Sequence, residues 1–450
     1  MIWPFRPHPP LPLAHKVACE KRFAAVARWL GRGRIPPVTP VTPQDIDVIA
    51  GQGEIDQLPE RLFAFFRSRM AIPDCQVTVR WAESDELTDQ GQTHNYLLTG
   101  DGERPTELLI HRMLIEFPYR LAAVTATAVG DCLLAANHVP TPLPAGANEL
   151  LPLFFGFGPI MANAGIHEAS DNQPLVESWE VSRLGMITPL QFGYSMALAD
   201  WSLETEYEQT ALYLRLDAKE GLQNGLRFLR KTADCSFPQD VLSWSPDRST
   251  AALKSKLADR SSSVQLGTLM DICGDPPADP ALVESLGHLL RHRESEIQHS
   301  AAVALGQCES LPRDVHDELE MLAGGTSGGV RRAVIAALRP GYESDDTVVQ
   351  TLSEILRRCD KSTAARCIRT LLKYDSYPDT LTDSLLKALA LMAPASEPED
   401  VLPGLELLDR LHDDPAELLR RRFRDDLTVL AILDDLGYAF SGYTSDVSPS

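Results

Sequence analysis

Metal-assisted hydrolysis on a helix needs two histidines four residues apart, so that both rings share one face. It also needs a carboxylate to take the proton from the metal-bound water. Three stretches of this 450-residue sequence approach that pattern without filling it. ESLGHLLRH sets His288 and His292 at i, i+4 with Glu284 one turn earlier, but Leu289 stands where the carboxylate belongs. HEASD offers His167 and Glu168 and no second His four residues on. LAAVTATAVGDCLLAAN (121–137) is small, apolar and helical in character, interrupted by Gly130 and Asp131. Asp131, His138 and Glu149 together would supply oxygen, nitrogen and oxygen, a set able to hold a metal weakly. The plainer alternative is a polar remnant in a filled pocket, with His288 and His292 on the surface of an ordinary helix. No cysteine has a histidine at suggestive local spacing, so no nucleophile can be named. No G-x-x-x-x-G-K-[ST], G-x-S-x-G or G-x-G-x-x-G occurs, and the glycines of GFGPIMANAG point to close helix packing.

Composition narrows the partners. The formal charge is −21, which argues against a general nucleic-acid binder, because phosphate neutralisation needs excess Lys and Arg. The start of the chain is locally basic, with Arg6, Lys16, Lys21, Arg22, Arg28, Arg32 and Arg34 against Glu20; this reads as a solvated helix face before a binding arm. A hydrophobic share of 44% suffices for a real core. Eight cysteines without a C-x-x-C read as reduced, mostly buried thiols. The N-terminus has no continuous apolar run of the secretory kind. The apolar stretches 121–139 and 150–166 are short for a span and carry Asp131, or prolines and glycines, so buried core helices are expected. These features point to a cytoplasmic protein that inserts in no membrane.

Periodicity places the elements. Residues 15–31 and 54–70 read as helices separated by the Pro-rich connector 35–45. CQVTVRWA (75–82) alternates and reads as a strand, followed by short strands at 96–98 and 108–110. A helix over 115–137 follows this small sheet. After the loop 140–147, Glu149 opens a second apolar helix, NELLPLFFGFGPIMANAG. A polar loop and two helices, 185–198 and 220–232, complete the region 1–235, and 236–250 reads as a linker.

Beyond 250 the sequence repeats. Segments beginning at Val264, Ile297, Val330 and Ala364 align, with starts 33, 33 and 34 residues apart. The fourth position is small (Gly267, Ser300, Ala333, Cys367) and the ninth aliphatic (Ile272, Leu305, Leu338, Leu372). Another amphipathic helix precedes each from the second onward. A fixed two-helix period specifies an α-solenoid, in which the small residue admits the neighbouring helix and the aliphatic one fills the shared core. The pattern, over about 250–395, resembles HEAT repeats. Residues 400–437 read as capping helices of a 251–437 array, and 438–450 as a disordered tail. Arg331, Arg332, Arg357, Arg358, Lys361, Arg366, Arg369 and Lys373 gather positive charge in the third and fourth repeats, as a groove for an acidic partner or as a salt-bridged, solvated face.

WPFRPHPPL, HKVACEKRFAAVARWLGRGRI, ELLIHRMLIEFPYRLAAV, LLPLFFGFGPIMANAG, FGYSMALADW and GLQNGLRFLRKT carry a wider resemblance. Over roughly 1–235 the chain resembles a group of uncharacterised bacterial proteins that join a zincin-like metallopeptidase domain to HEAT-like repeats. The resemblance implies an α+β domain whose helix after the last strand carries the zinc histidines and the general-base Glu. Matched residue by residue, the first His falls on Thr127, the Glu on Ala128 and the second His on Asp131, while the third-ligand position keeps its acid in Glu149. Thr is a poor zinc ligand and Ala cannot be a base. The expectation is therefore a peptidase-like fold without peptidase chemistry or cofactor, joined to a solenoid that binds a protein partner. The alternative is a metal-dependent hydrolase with a rearranged site on Asp131, His138 and Glu149.

Overall fold

The computed structural model describes residues 8–72, 77–89, 92–93, 95–100, 105–137, 143–173, 176–274, 279–326, 328–342, 344–395, 398–424, 426 and 429–432. His138, Cys75 and the expected tail 438–450 lie outside them. The chain divides into two compact units, Met1–Pro246 and Asp247–Ser450. It is mostly helical, with one small three-stranded sheet.

The first unit opens with α1 (Leu13–Leu30), which stops at Gly31. The Pro-rich connector is shorter than its composition suggested. Thr42 and Asp45 form a capping box that starts a further helix, α2 (Pro43–Ala50), with proline at the first helical position. α3 (Leu58–Arg69) buries Leu58, Leu62, Phe63 and Phe66. The sheet follows. β1 (Thr78–Ala82) pairs parallel with the central strand, while β2 (Thr88–Asp89) and β3 (Gln92–Thr93) form a separate two-residue ladder. β4 (Tyr96–Gly100) is an edge strand antiparallel to the central β5 (Pro105–His111), opposing Tyr96 to Ile110 and Leu98 to Leu108. Leu108, Leu109 and Ile110 are buried, as a central strand requires.

α4 (Pro118–Ala136) then crosses the core, with Pro118 at its first position. Among the described residues it is the one helix long and apolar enough to cross a membrane, and 67% of that stretch is buried inside the protein. The single apolar helix expected from Glu149 is two pieces. Asn148–Phe155 is a tighter 3-10 turn, Gly156 takes a left-handed φ of 97°, and α5 (Gly158–Ala164) restarts beyond it. Pro152 and Pro159 are the cause, because neither can donate within a continuous helix. The expected polar loop is a hairpin of β6 (Ile166–Gln173) and β7 (Val176–Arg183). α6 (Pro189–Leu203) and α7 (Leu216–Thr232) pack backbone to backbone. A Cβ on Gly193 would overlap the Ala218 carbonyl oxygen, and one on Gly221 that of Leu190.

Residues 235–246 do not form a free linker. Cys235, Phe237 and Val241 are buried in the core of the first unit, where Phe237 stacks on Phe23 at 5.9 Å. The basic stretch of α1 is also more than a wet face. Lys16 and Glu20, 1% and 0% exposed, form an ion pair at 2.6 Å. Lys16 Nζ donates to the Asp234 carbonyl at 2.8 Å, and Glu20 accepts from the Tyr194 hydroxyl at 2.7 Å and the Ser236 amide at 2.9 Å. Such a pair tolerates burial because every charge has a partner.

In the second unit, helices pack on their next-but-one neighbours in two rows. One row is α9 (Ser262–Gly274), α11 (Ser295–Gln307), α13 (Gly328–Ala337), α15 (Lys361–Leu371) and α17 (Pro398–Leu411). The other is α8 (Thr250–Leu257), α10 (Pro280–Leu289), α12 (Arg313–Gly325), α14 (Asp345–Leu356) and α16 (Leu381–Met392). α18 (Pro415–Arg422) follows. Ile272, Leu305 and Leu338 are buried, as are Gly267, Ala333 and Cys367. In α17 a small residue again marks a close approach, since a Cβ on Gly404 would lie 2.7 Å from Leu389 Cδ2.

Basic residues tie successive helices of the first row. Arg339 Nη2 donates to the Gly306 carbonyl at 2.7 Å, Lys373 Nζ to those of Ala336 (3.1 Å) and Leu338 (3.3 Å), and Arg410 Nη1 to that of Leu372 at 2.8 Å. Each satisfies carbonyls that a helix end leaves without an internal partner.

Candidate functional site

The site is built where α4, the edge strand β4 and the 3-10 turn after residue 147 meet. α4 approaches its neighbours closely because Ala122, Ala123, Ala126 and Ala128 carry almost no side chain, and all four are fully buried. Gly130 continues this: a Cβ there would lie 3.2 Å from Leu151 Cδ2. The helix thus presses its middle against the 3-10 turn and presents Thr127 and Asp131 beside Asn148 and Glu149.

Thr127 turns its hydroxyl back on its own helix, donating to the Ala123 carbonyl at 3.0 Å. Asp131 accepts from the Tyr96 hydroxyl on Oδ2 at 2.6 Å and from Asn148 Nδ2 on Oδ1 at 3.1 Å. Glu149 accepts the backbone N–H groups of Met186 (2.8 Å, Oε1) and Ile187 (3.1 Å, Oε2). Gly185 makes this possible. Its φ of 75° is left-handed, and a Cβ there would sit 2.5 Å from Glu149 Oε2. All four carboxylate oxygens therefore accept from neutral donors of the protein.

Burial pushes the Asp131 carboxyl above the usual carboxylate range, while its bonds from Tyr96 and Asn148 pull the other way. The Tyr96 hydroxyl is pushed well above its ordinary value, first by burial and then by the charges of Asp131 and Glu149. These groups border a cavity of about 550 Å³, open between Tyr96, Leu98, Thr127, Glu149, Leu184 and Phe192.

Of the residues singled out from the sequence, Thr127 and Glu149 line this cavity, and Asp131 is bonded to two of its lining side chains. Ala128 is buried in the core. His138 lies outside the described residues, and among the described residues no group of three His, Cys, Asp or Glu side chains is placed to hold a metal. His167 and Glu168 lie on β6, not a helix. His288 and His292 do not share a helix face, because α10 ends at Leu289 and the His292 ring accepts the Glu294 amide at 3.1 Å. Tyr96 and Asn148 were missed. Asn148 adjoins Glu149 in sequence, but no local pattern links Tyr96 to Asp131.

In the second unit, Arg331 and Arg332 stand on α13, Arg366 and Arg369 on α15, and Arg357 and Arg358 follow α14. Arg357, Arg358, Lys361 and Arg366 are exposed. Arg369 is committed, pairing with Asp400 at 2.7 Å, and Lys373 is committed to the carbonyls above.

A scan against protein-family models returns no match for this chain, and neither does a search of the curated proteins.

Proposed function

We propose that this chain acts by contact and not by catalysis. In this reading the first unit is a degenerate zincin-like platform. The second is a HEAT-like α-solenoid that binds an acidic protein partner in the cytoplasm through Arg331, Arg332, Arg357, Arg358 and Arg366. One observation carries the non-catalytic part. The positions that would hold two zinc ligands and the base carry Thr127, Asp131 and Ala128; Thr127 donates its hydrogen to its own helix, and Asp131 accepts from the neutral Tyr96 and Asn148. Removing the base removes the group that activates water. The next-but-one packing of helices from α9 to α17, with Arg357, Arg358 and Arg366 left exposed, supports the interaction surface.

The test has two arms. Purified full-length protein is assayed for bound metal and for peptide hydrolysis; stoichiometric zinc with hydrolysis that His138→Ala abolishes would install the hydrolase reading instead. Wild-type and R331E/R332E/R366E chains are then compared in affinity capture. A partner recovered equally by both, or by residues 1–246 alone, would remove the solenoid face from the reading.

A further inference from the structure

The cavity beside Glu149 has a chemistry that the contact reading leaves unused. We propose that it binds a small organic amine, a primary ammonium carried on an apolar body. Its volume of about 550 Å³ lies in the range of small-molecule sites, roughly 300–1,000 Å³. Most of its wall is apolar: Leu97, Leu98, Val124, Met161, Leu184 and Phe192. Among the described lining residues Glu149 is the one carboxylate, and none is Lys, Arg or His. A second carboxylate, Asp131, stands one hydrogen bond behind Tyr96 and Asn148, both of which line the space. The field inside is therefore negative, with no cation of its own in the described wall to offset it.

Glu149 is suited to be the anchor. The Met186 and Ile187 amides fix its orientation by occupying one acceptor site on each oxygen. A carboxylate has about four such sites, so two remain. The Thr127 oxygen has spent its hydrogen on Ala123 and keeps lone pairs for an incoming donor. An ammonium has three donors and no acceptor, which is what these oxygens can use. An anion would meet the Glu149 carboxylate, with Asp131 behind the wall. A neutral ligand would leave Glu149 without a counter-charge. A divalent metal fits less well, because Asp131 stands behind Tyr96 and Asn148 and no group of three ligating side chains forms among the described residues.

Isothermal titration of the full-length protein at neutral pH with three matched probes tests the assignment: 2-phenylethylamine, 2-phenylethanol and phenylacetate. The amine should bind about 10-fold or more tightly than the alcohol, and phenylacetate should not bind. Glu149→Gln should weaken the amine about 10-fold while leaving the alcohol unchanged. Should that variant fail to fold, Leu98→Lys decides, since it leaves Glu149 and its amide partners in place and sets a cation in the wall; it should abolish amine binding. Equal binding of amine and alcohol, amine binding unchanged in either folded variant, or no heat from the amine at millimolar concentration would overturn the proposal.

Discussion

The Tyr96 hydroxyl donates to Asp131 Oδ2 at 2.6 Å, and this bond ties the edge strand of the sheet to the middle of α4. Burial first, then the Asp131 charge and this bond, make the Tyr96 phenol hard to ionise. Tyr96→Phe keeps the ring and removes the donor. The variant should lose about 1.5–3 kcal/mol, the range for a bond to a charged group left unmade. Urea unfolding followed by circular dichroism measures it, and an unchanged midpoint would mean the bond is not formed in solution.

Asp131 itself makes a pH prediction. Burial raises its folded-state pKa. A carboxyl so raised contributes stability below its unfolded pKa of about 3.9, and that contribution is lost as pH rises through the folded value. Asp131→Asn keeps an acceptor for Tyr96 and carries no charge. Relative to wild type, the Asn variant should therefore gain stability as pH rises from acid to neutral, then level off. A difference that runs the opposite way across the same window would contradict the assigned direction.

How much of this site could be read from the sequence depends on what each residue answers to. Thr127, Asp131 and Glu149 come from the resemblance, whose match is carried by their own neighbours, LAAV, CLLA and LLPLFF. Tyr96 was not, because the bond it makes spans 35 residues and no local period encodes it. The helices of the second unit were legible for the opposite reason: their partners recur at fixed spacing. The β6–β7 hairpin was missed because IHEASDNQ has no hydrophobic alternation, and hydrogen bonding between two strands leaves no mark on polar sequence. The helix expected from Glu149 failed at Pro152 and Gly156, where backbone chemistry overrode an apolar run. Lys16 and Glu20 read as part of a solvated helix face, since nothing near them in sequence announces Tyr194 or the Asp234 carbonyl.

That buried pair yields the largest expected loss. Lys16→Met strands the Glu20 carboxylate in the core, which should cost about 3–5 kcal/mol. Lys16→Met/Glu20→Gln removes the stranded charge and keeps an acceptor for Tyr194, so it should recover part of that loss. Thermal unfolding of the three proteins decides; a double variant less stable than Lys16→Met would show that Glu20 is not the cost.

The boundary of the first unit can be tested by truncation. Ending the chain at residue 235 deletes Phe237 and Val241, both buried, and the Ser236 amide that Glu20 accepts from. Each buried apolar side chain is worth about 1.5–3 kcal/mol. A fragment of residues 1–246 should therefore unfold cooperatively and at a clearly higher temperature than a fragment of residues 1–235. Equal melting of the two would return residues 236–246 to the role of a linker.

The cations that bridge the helical rows predict a local effect. Arg339 caps the carbonyl of Gly306 on α11, and Lys373 caps those of Ala336 and Leu338 at the end of α13. Each such contact combines a carbonyl hydrogen bond with a cation at a helix C-terminus, worth about 1 kcal/mol. In a stack of repeats, each unit feels mainly its immediate neighbours. Arg339→Ala should therefore speed amide hydrogen exchange in α11 and α13, by about 5-fold for 1 kcal/mol. Exchange in α16 and α17 should stay unchanged, because Arg410 still holds the Leu372 carbonyl there. Lys373→Ala should shift the affected pair to α13 and α15. If either variant loosens all the helices of the second unit equally, the unit opens as one body, and the bridging cations do not set its local stability.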